Sequence, residues 1–174
     1  MERCNDQPQA WPPKVGPPVR PHLTVKDGMR AIEFYKNAFG AEEVSIIVDP
    51  NTSKIAHSEL LFGTSIVYVA DELGYTGLHA PPRSGDNGVT LHLCTHNLDR
   101  LWQAAVSSGA IVLVPLEDRW WGERCGRLID PFGHRWCLVS AQETPSAEEI
   151  SHRFREWLSS RGLAGSGVEN HGKR

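Results

Sequence analysis

Two sets of side chains in this 174-residue sequence are of the types that do chemistry. His57 and Glu59 stand two residues apart in A-H-S-E-L (Ala56–Leu60), and His22 and His92 each sit in a short alternating apolar run. On a strand, a two-residue spacing puts side chains on one face. A tight turn at Gly63-Thr64 pairs Glu59 across from Tyr68, which makes His22, His57, Glu59 and His92 candidates to converge on one cavity. Imidazoles with a carboxylate can hold Zn²⁺, Ni²⁺, Mn²⁺ or Fe²⁺, and a His/Glu pair can work as general acid and base. The same groups can instead hydrogen-bond one another and a polar ligand with no metal present. His57, Glu59 and His92 are therefore the catalytic candidates and the alternative metal ligands. The leading expectation is that no metal or other cofactor is held.

The second set lies in WWGERCGRLIDPFGHRWCLVS (Trp120–Ser140), where Trp120, Trp121, Arg124 and Arg127 fall together. Paired indoles beside guanidinium groups suit stacking on a planar or anionic ligand. The competing use is local: one Trp closes the core and Arg124 pairs with Glu117, Asp118 or Glu123. The ligand-binding candidates are Trp120, Trp121, Arg124, Tyr68 and His92. Trp102 and Trp136 are expected in the core. The sequence has no G-x-S-x-G elbow, P-loop or dinucleotide fingerprint.

The elements that must position these residues recur. Val19–Val25 reads as a strand, and Asp27 caps a helix through Phe39 that Gly40 ends. Glu43–Val48, Lys54–Phe62 and Ser65–Ala70 read as three strands. After a Gly/Pro-rich loop over residues 71–87 the order returns: strand Gly88–Thr95, a helix capped by Asn97, strand Ile111–Pro115, and a hairpin of Arg124–Ile129 and Arg135–Ser140 around D-P-F-G. His22-Leu23 recurs as His92-Leu93, Gly40-Ala41 as Gly109-Ala110 and Phe62-Gly63 as Phe132-Gly133, a period of about 70 residues. Residues 1–18 are expected to be a flexible Pro-rich leader, 144–161 an appended amphipathic helix, and 162–174 a disordered tail. That helix carries an Ile150, Phe154, Trp157 and Leu158 stripe, expected to dock on the domain itself or on a second copy.

A net charge of −3 with no basic run argues against a nucleic-acid partner. No apolar run approaches the roughly 18 residues of a membrane span, and the N-terminus lacks a signal-peptide core. Four cysteines without C-x-x-C spacing do not make a disulfide framework. A cytoplasmic protein is expected.

Paired β-α-β-β-β modules, the D-P-F-G-H hairpin and LTVKDGMRAIEFYKNAFGAEE together resemble the vicinal-oxygen-chelate superfamily of glyoxalases, bleomycin-resistance proteins and extradiol dioxygenases. A-H-S-E-L, L-H-L and W-G-E-R-C-G-R-x-x-D-P-F-G-H-x-W resemble its PhnB-like branch. The resemblance implies an α+β fold, with two paired βαβββ modules (19–70 and 88–141) forming a half-barrel around a central cavity. It also implies four metal-ligand positions, which fall at Arg20, Thr90, Cys137 and either Val67 or Tyr68. Only the Cys is a credible donor among them. The expected function is binding of a small, partly aromatic ligand without the usual four-ligand metal centre. The alternative is a metal-dependent lyase, transferase or dioxygenase. The expected partner is a small molecule, with a homodimer left open.

Overall fold

The computed structural model describes residues 19–85 and 87–163, so the expected leader and residues 164–174 of the expected tail lie outside the described residues. The first module is β1 (His22–Val25), α1 (Gly28–Phe39), β2 (Glu42–Val48), β3 (Ile55–Phe62) and β4 (Ser65–Asp71). The second repeats it with β5 (Thr90–Cys94), α2 (Leu98–Ser107), β6 (Ile111–Asp118), β7 (Glu123–Ile129) and β8 (Arg135–Ala141), and α3 (Ala147–Ser160) follows. Local chemistry sets these bounds. The Asp27 carboxylate accepts from the Arg30 amide at 3.2 Å, and Gly40 ends α1 in the left-handed region at φ 69°. Ser146 accepts from the Glu149 amide at 3.2 Å and opens α3 as a capping box predicts. Asn97 precedes α2 without a side-chain cap bond; its own amide donates to Thr95 Oγ1 at 3.0 Å.

Each module builds one four-stranded sheet, ordered β1-β4-β3-β2 and β5-β8-β7-β6. The first strand pairs parallel with the last (β1 with β4, β5 with β8), and the remaining pairs are antiparallel. β6 runs past the expected Pro115 to Asp118, because an edge strand tolerates a residue with no N–H at a register irregularity.

The half-barrel expected around a central cavity is not formed. Both sheets are open, with different strands at their two edges, and among the described residues no strand of one sheet is hydrogen-bonded to a strand of the other. The modules are joined through their helix-facing sides instead. One apolar cluster runs from Leu23, Val25, Leu60, Phe62 and Val69 through α1 to Trp102, Leu128, Trp136 and Leu138. Burying each large apolar side chain contributes about 1.5–3 kcal/mol, which makes this shared core the main cohesive term.

Asp130 ties the D-P-F-G-H turn into that core. It is 2% exposed and accepts from Tyr35 Oη at 2.7 Å, Trp136 Nε1 at 2.9 Å, and the Phe132 and His134 amides at 2.9 Å each. Two bonds shape the turn and two reach across the core, one of them to α1 of the first module. Gly133, at φ 95°, supplies the left-handed residue that the turn requires.

Candidate functional site

Strand alternation sends one set of side chains into the shared core and the other set to the sheet faces away from the helices. On the first sheet Leu60, Phe62, Val67 and Val69 are in the core. The alternate residues His22, Tyr68 and Glu59 are matched in register, His22 with Tyr68 and Tyr68 with Glu59, and His57 lies two residues before Glu59. The Gly63-Thr64 turn thus gives the Glu59–Tyr68 pairing read from the sequence. Tyr68 is the hub. Arg20 donates to its hydroxyl at 2.6 Å, the His57 ring lies 4.9 Å from its ring, and the His22 ring is edge-on at 6.2 Å. His57 Nε2 is 3.9 Å from Glu59 Oε1, too far for a hydrogen bond. Glu59 is 7% exposed, and its Oε1 accepts no hydrogen bond among the described residues. The His22 imidazole is held below its ordinary value by burial and then by the neighbouring His57.

His92 is not part of this group. It lies on the second sheet, in register with Cys137, and lines a cavity of about 500 Å³ with Gly63–Val67 of the first module. Cys137 is in turn in register with Arg127. The row His22–Tyr68–Glu59 is therefore answered on the second sheet by His92–Cys137–Arg127. Cys125, Cys137 and Val139 pack together under Trp121. The Cys137 thiol is pushed up to about 11, first by burial and then by the Cys125 thiol beside it.

Among the described residues, no three or more His, Cys, Asp or Glu side chains are gathered in a way that could hold a metal ion. The four positions implied by the resemblance do not fit a divalent ion either. Arg20 is cationic and bonded to Tyr68, Thr90 and Val67 are poor donors, and Cys137 is a buried, reluctant thiol.

The aromatic set lies at the other end of the second sheet. Gly122, at φ 91°, turns the chain between β6 and β7, and its carbonyl accepts from the Gln142 and Glu143 amides at 2.9 and 3.1 Å. That fastens the start of the α3 linker beside the tryptophans. Trp120 then stacks on Phe154 of α3 with centroids 4.7 Å apart and lies 4.9 Å from Trp121 and 6.5 Å from Trp157. Arg153 of α3 pairs with Glu143 and Glu149. So α3 docks on its own chain through an aromatic stripe that leaves Phe154 40% exposed.

Between α3 and the sheet is a cavity of about 480 Å³ lined by Arg119, Trp120, Trp121, Arg127, Phe154, Trp157 and Arg161, with Glu117 and Asp118 at its margin. Its volume is ordinary for a small-molecule site, about 300–1,000 Å³. Arg124 does not line it. That side chain points to the helix side, 3.4 Å from Asp118 and 3.5 Å from Asp99 of α2, the local pairing that the sequence allowed. Sequence reasoning missed Arg119 and Arg161, and it did not connect Phe154 and Trp157 to this site. The signal available was the i,i+4 spacing of Trp157 and Arg161 on the apolar stripe.

Comparison with known proteins gives the family. The model of the Glyoxalase/Bleomycin resistance protein/Dioxygenase superfamily matches residues 18–138, ending before α3. The Mycobacterium bovis protein Mb0911c is 37% identical over 139 residues, which cover 78% of this chain and 91% of that protein. Among solved structures, the Arabidopsis thaliana AT5G48480 gene product is 28% identical with a TM-score of 0.57, covering 72% of this chain and 99% of that one. The PhnB protein from Bacillus cereus is 18% identical with a TM-score of 0.55, covering 72% and 100%, and shows likeness of fold. With β-α-β-β-β modules in both halves and the family model spanning residues 18–138, the chain belongs to the glyoxalase/bleomycin-resistance/dioxygenase (vicinal-oxygen-chelate) superfamily.

Proposed function

We propose that this protein binds a small, planar, partly aromatic molecule in the cavity under α3 and does so without a four-ligand metal centre. One observation carries the reading: three indoles and a phenyl ring line a cavity of about 480 Å³ that also presents guanidinium groups. Apolar walls with a few directed polar groups are the usual build of such sites. Trp120 is the proposed platform, since its neighbours Trp121, Phe154 and Trp157 already set aromatic spacing around it. Tyr68 and His92, also candidate contacts, are proposed to serve the fold's other faces rather than this ligand. A homodimer is proposed as the further partner state, supported by exposed Val44 and Ile47 on edge strand β2 and Ile111 and Val112 on edge strand β6.

The test is titration of the full chain with planar bicyclic aromatics, followed by tryptophan fluorescence. Trp120→Ala should weaken binding at least about tenfold, equivalent to about 1.4 kcal/mol. Equal binding by the variant would reject the site.

A further inference from the structure

We infer that the ligand of the α3 cavity is an aromatic acid, a flat ring system bearing a carboxylate or phosphate held between Arg127 and Arg161. This inference rests on the aromatic-cavity reading above and adds the charge of the ligand. The charges around the cavity carry it. Glu117 is answered by Arg119 at 3.1 Å, and Asp118 by Arg124 at 3.4 Å. That settles both carboxylates at the margin. Arg127 and Arg161 also line the cavity, and the arginine–carboxylate pairs among the described residues are made by Arg30, Arg119, Arg124 and Arg153 instead. Among the described residues the cavity therefore presents two guanidinium groups that no carboxylate pairs, set among aromatic rings.

Their placement suits one acidic group on a stacked ring. Arg127 rises from β7, on the face opposite the helices, whereas Arg161 caps the end of α3 and lies over the Trp157 ring at 4.6 Å. Arg119 lies over the Trp121 ring at 5.9 Å, so two of the cavity's guanidinium groups each face an indole. A guanidinium already spread on an indole keeps its edge N–H groups free to meet anionic oxygens, the fork geometry that carboxylate and phosphate match. One arginine comes from the superfamily domain and the other from a helix beyond residue 138, where the family match ends. Acid recognition is thus a property of the two parts together.

Isothermal titration of the full-length protein with 1-naphthoate, 1-naphthyl phosphate and the neutral isostere 1-naphthamide tests this. The wild type should bind at least one of the two anions about tenfold or more tightly than the amide, the scale of a charge-assisted hydrogen bond at a partly exposed site. Arg127→Gln and Arg161→Gln should each remove most of that preference while leaving amide affinity within about twofold. Raising salt should weaken anion binding and spare the amide. Equal binding of anions and amide, unchanged in both variants, overturns the acid inference and leaves the aromatic cavity standing. Failure of all three to bind, or binding indifferent to Trp120→Ala, overturns both. Preference for naphthoate over the phosphate, or the reverse, identifies the acid.

Discussion

The two sheets place three side chains at matching register points and fill them differently. On the first sheet the row is His22, Tyr68 and Glu59; on the second it is His92, Cys137 and Arg127. A buried carboxylate stands in one where an exposed guanidinium stands in the other. The first row is closed on itself, Tyr68 being occupied by Arg20 and by the rings of His57 and His22. The second row continues toward Trp121 and the cavity that α3 roofs. The repeated module dictates where side chains point. The residues at those points, and the appended helix, decide which face is left able to take a ligand.

The harshest way to break the comparison is to remove what both rows share. Asp130→Ala would orphan the buried Tyr35 hydroxyl and Trp136 indole N–H and two turn amides. Urea unfolding should show a loss of about 3–5 kcal/mol, with both modules lost in one transition. Gly126→Ala is more local. A Cβ there would lie 2.6 Å from the Trp102 ring, so α2 must lift from β7 at a cost of about 1–3 kcal/mol, borne by the second sheet. Hydrogen exchange should show that loss concentrated in β6–β8.

Glu59→Gln sharpens the contrast from the other side. It removes a carboxylate whose Oε1 accepts no hydrogen bond among the described residues and supplies an amide that can donate, so stability should rise by up to about 1 kcal/mol. Aromatic-ligand affinity should not change, and an altered affinity would show that the first row takes part in binding. The pH dependence is smaller. His134, whose Nε2 is 3.1 Å from the Thr24 carbonyl, is held below its ordinary 6.5, chiefly by burial and against the pull of Asp130. His22 shifts the same way. With folded values below unfolded ones, the unfolded chain binds more protons in acid. The contribution is full above about pH 6.5 and erodes as pH falls through that value, visible as a falling midpoint in thermal melts. Least of all, Arg124→Gln should leave ligand affinity within about twofold, because its exposed pairs with Asp118 and Asp99 are worth little.

What could be read from the sequence was what short stretches decide. The Asp27 and Ser146 caps, the Gly63-Thr64 hairpin with Glu59 opposite Tyr68, and the D-P-F-G-H turn all depend on residues a few positions apart. The internal repeat named the modules. Placement of one module on the other was not legible, since it depends on Tyr35 reaching Asp130 and on Phe39 and Phe62 meeting Trp136, contacts between distant segments. The half-barrel expectation failed at that level. The site divided similarly. Trp120 and Trp121 stood out as neighbours in the chain, but the choice of Arg127 over Arg124 turned on strand alternation, and Arg161 entered only once α3 was seen folded back.

The most direct test is a ¹H–¹⁵N correlation spectrum of the tryptophan indoles, titrated with 1-naphthoate. Each of the six tryptophans gives its own indole signal, and the five among the described residues divide between the core and the α3 cavity. Shifts concentrated at Trp120, Trp121 and Trp157, with Trp102 and Trp136 still, would place the ligand in the α3 cavity. Shifts led by Trp136, which lines the cavity holding His92, with Trp120 unmoved, would contradict it.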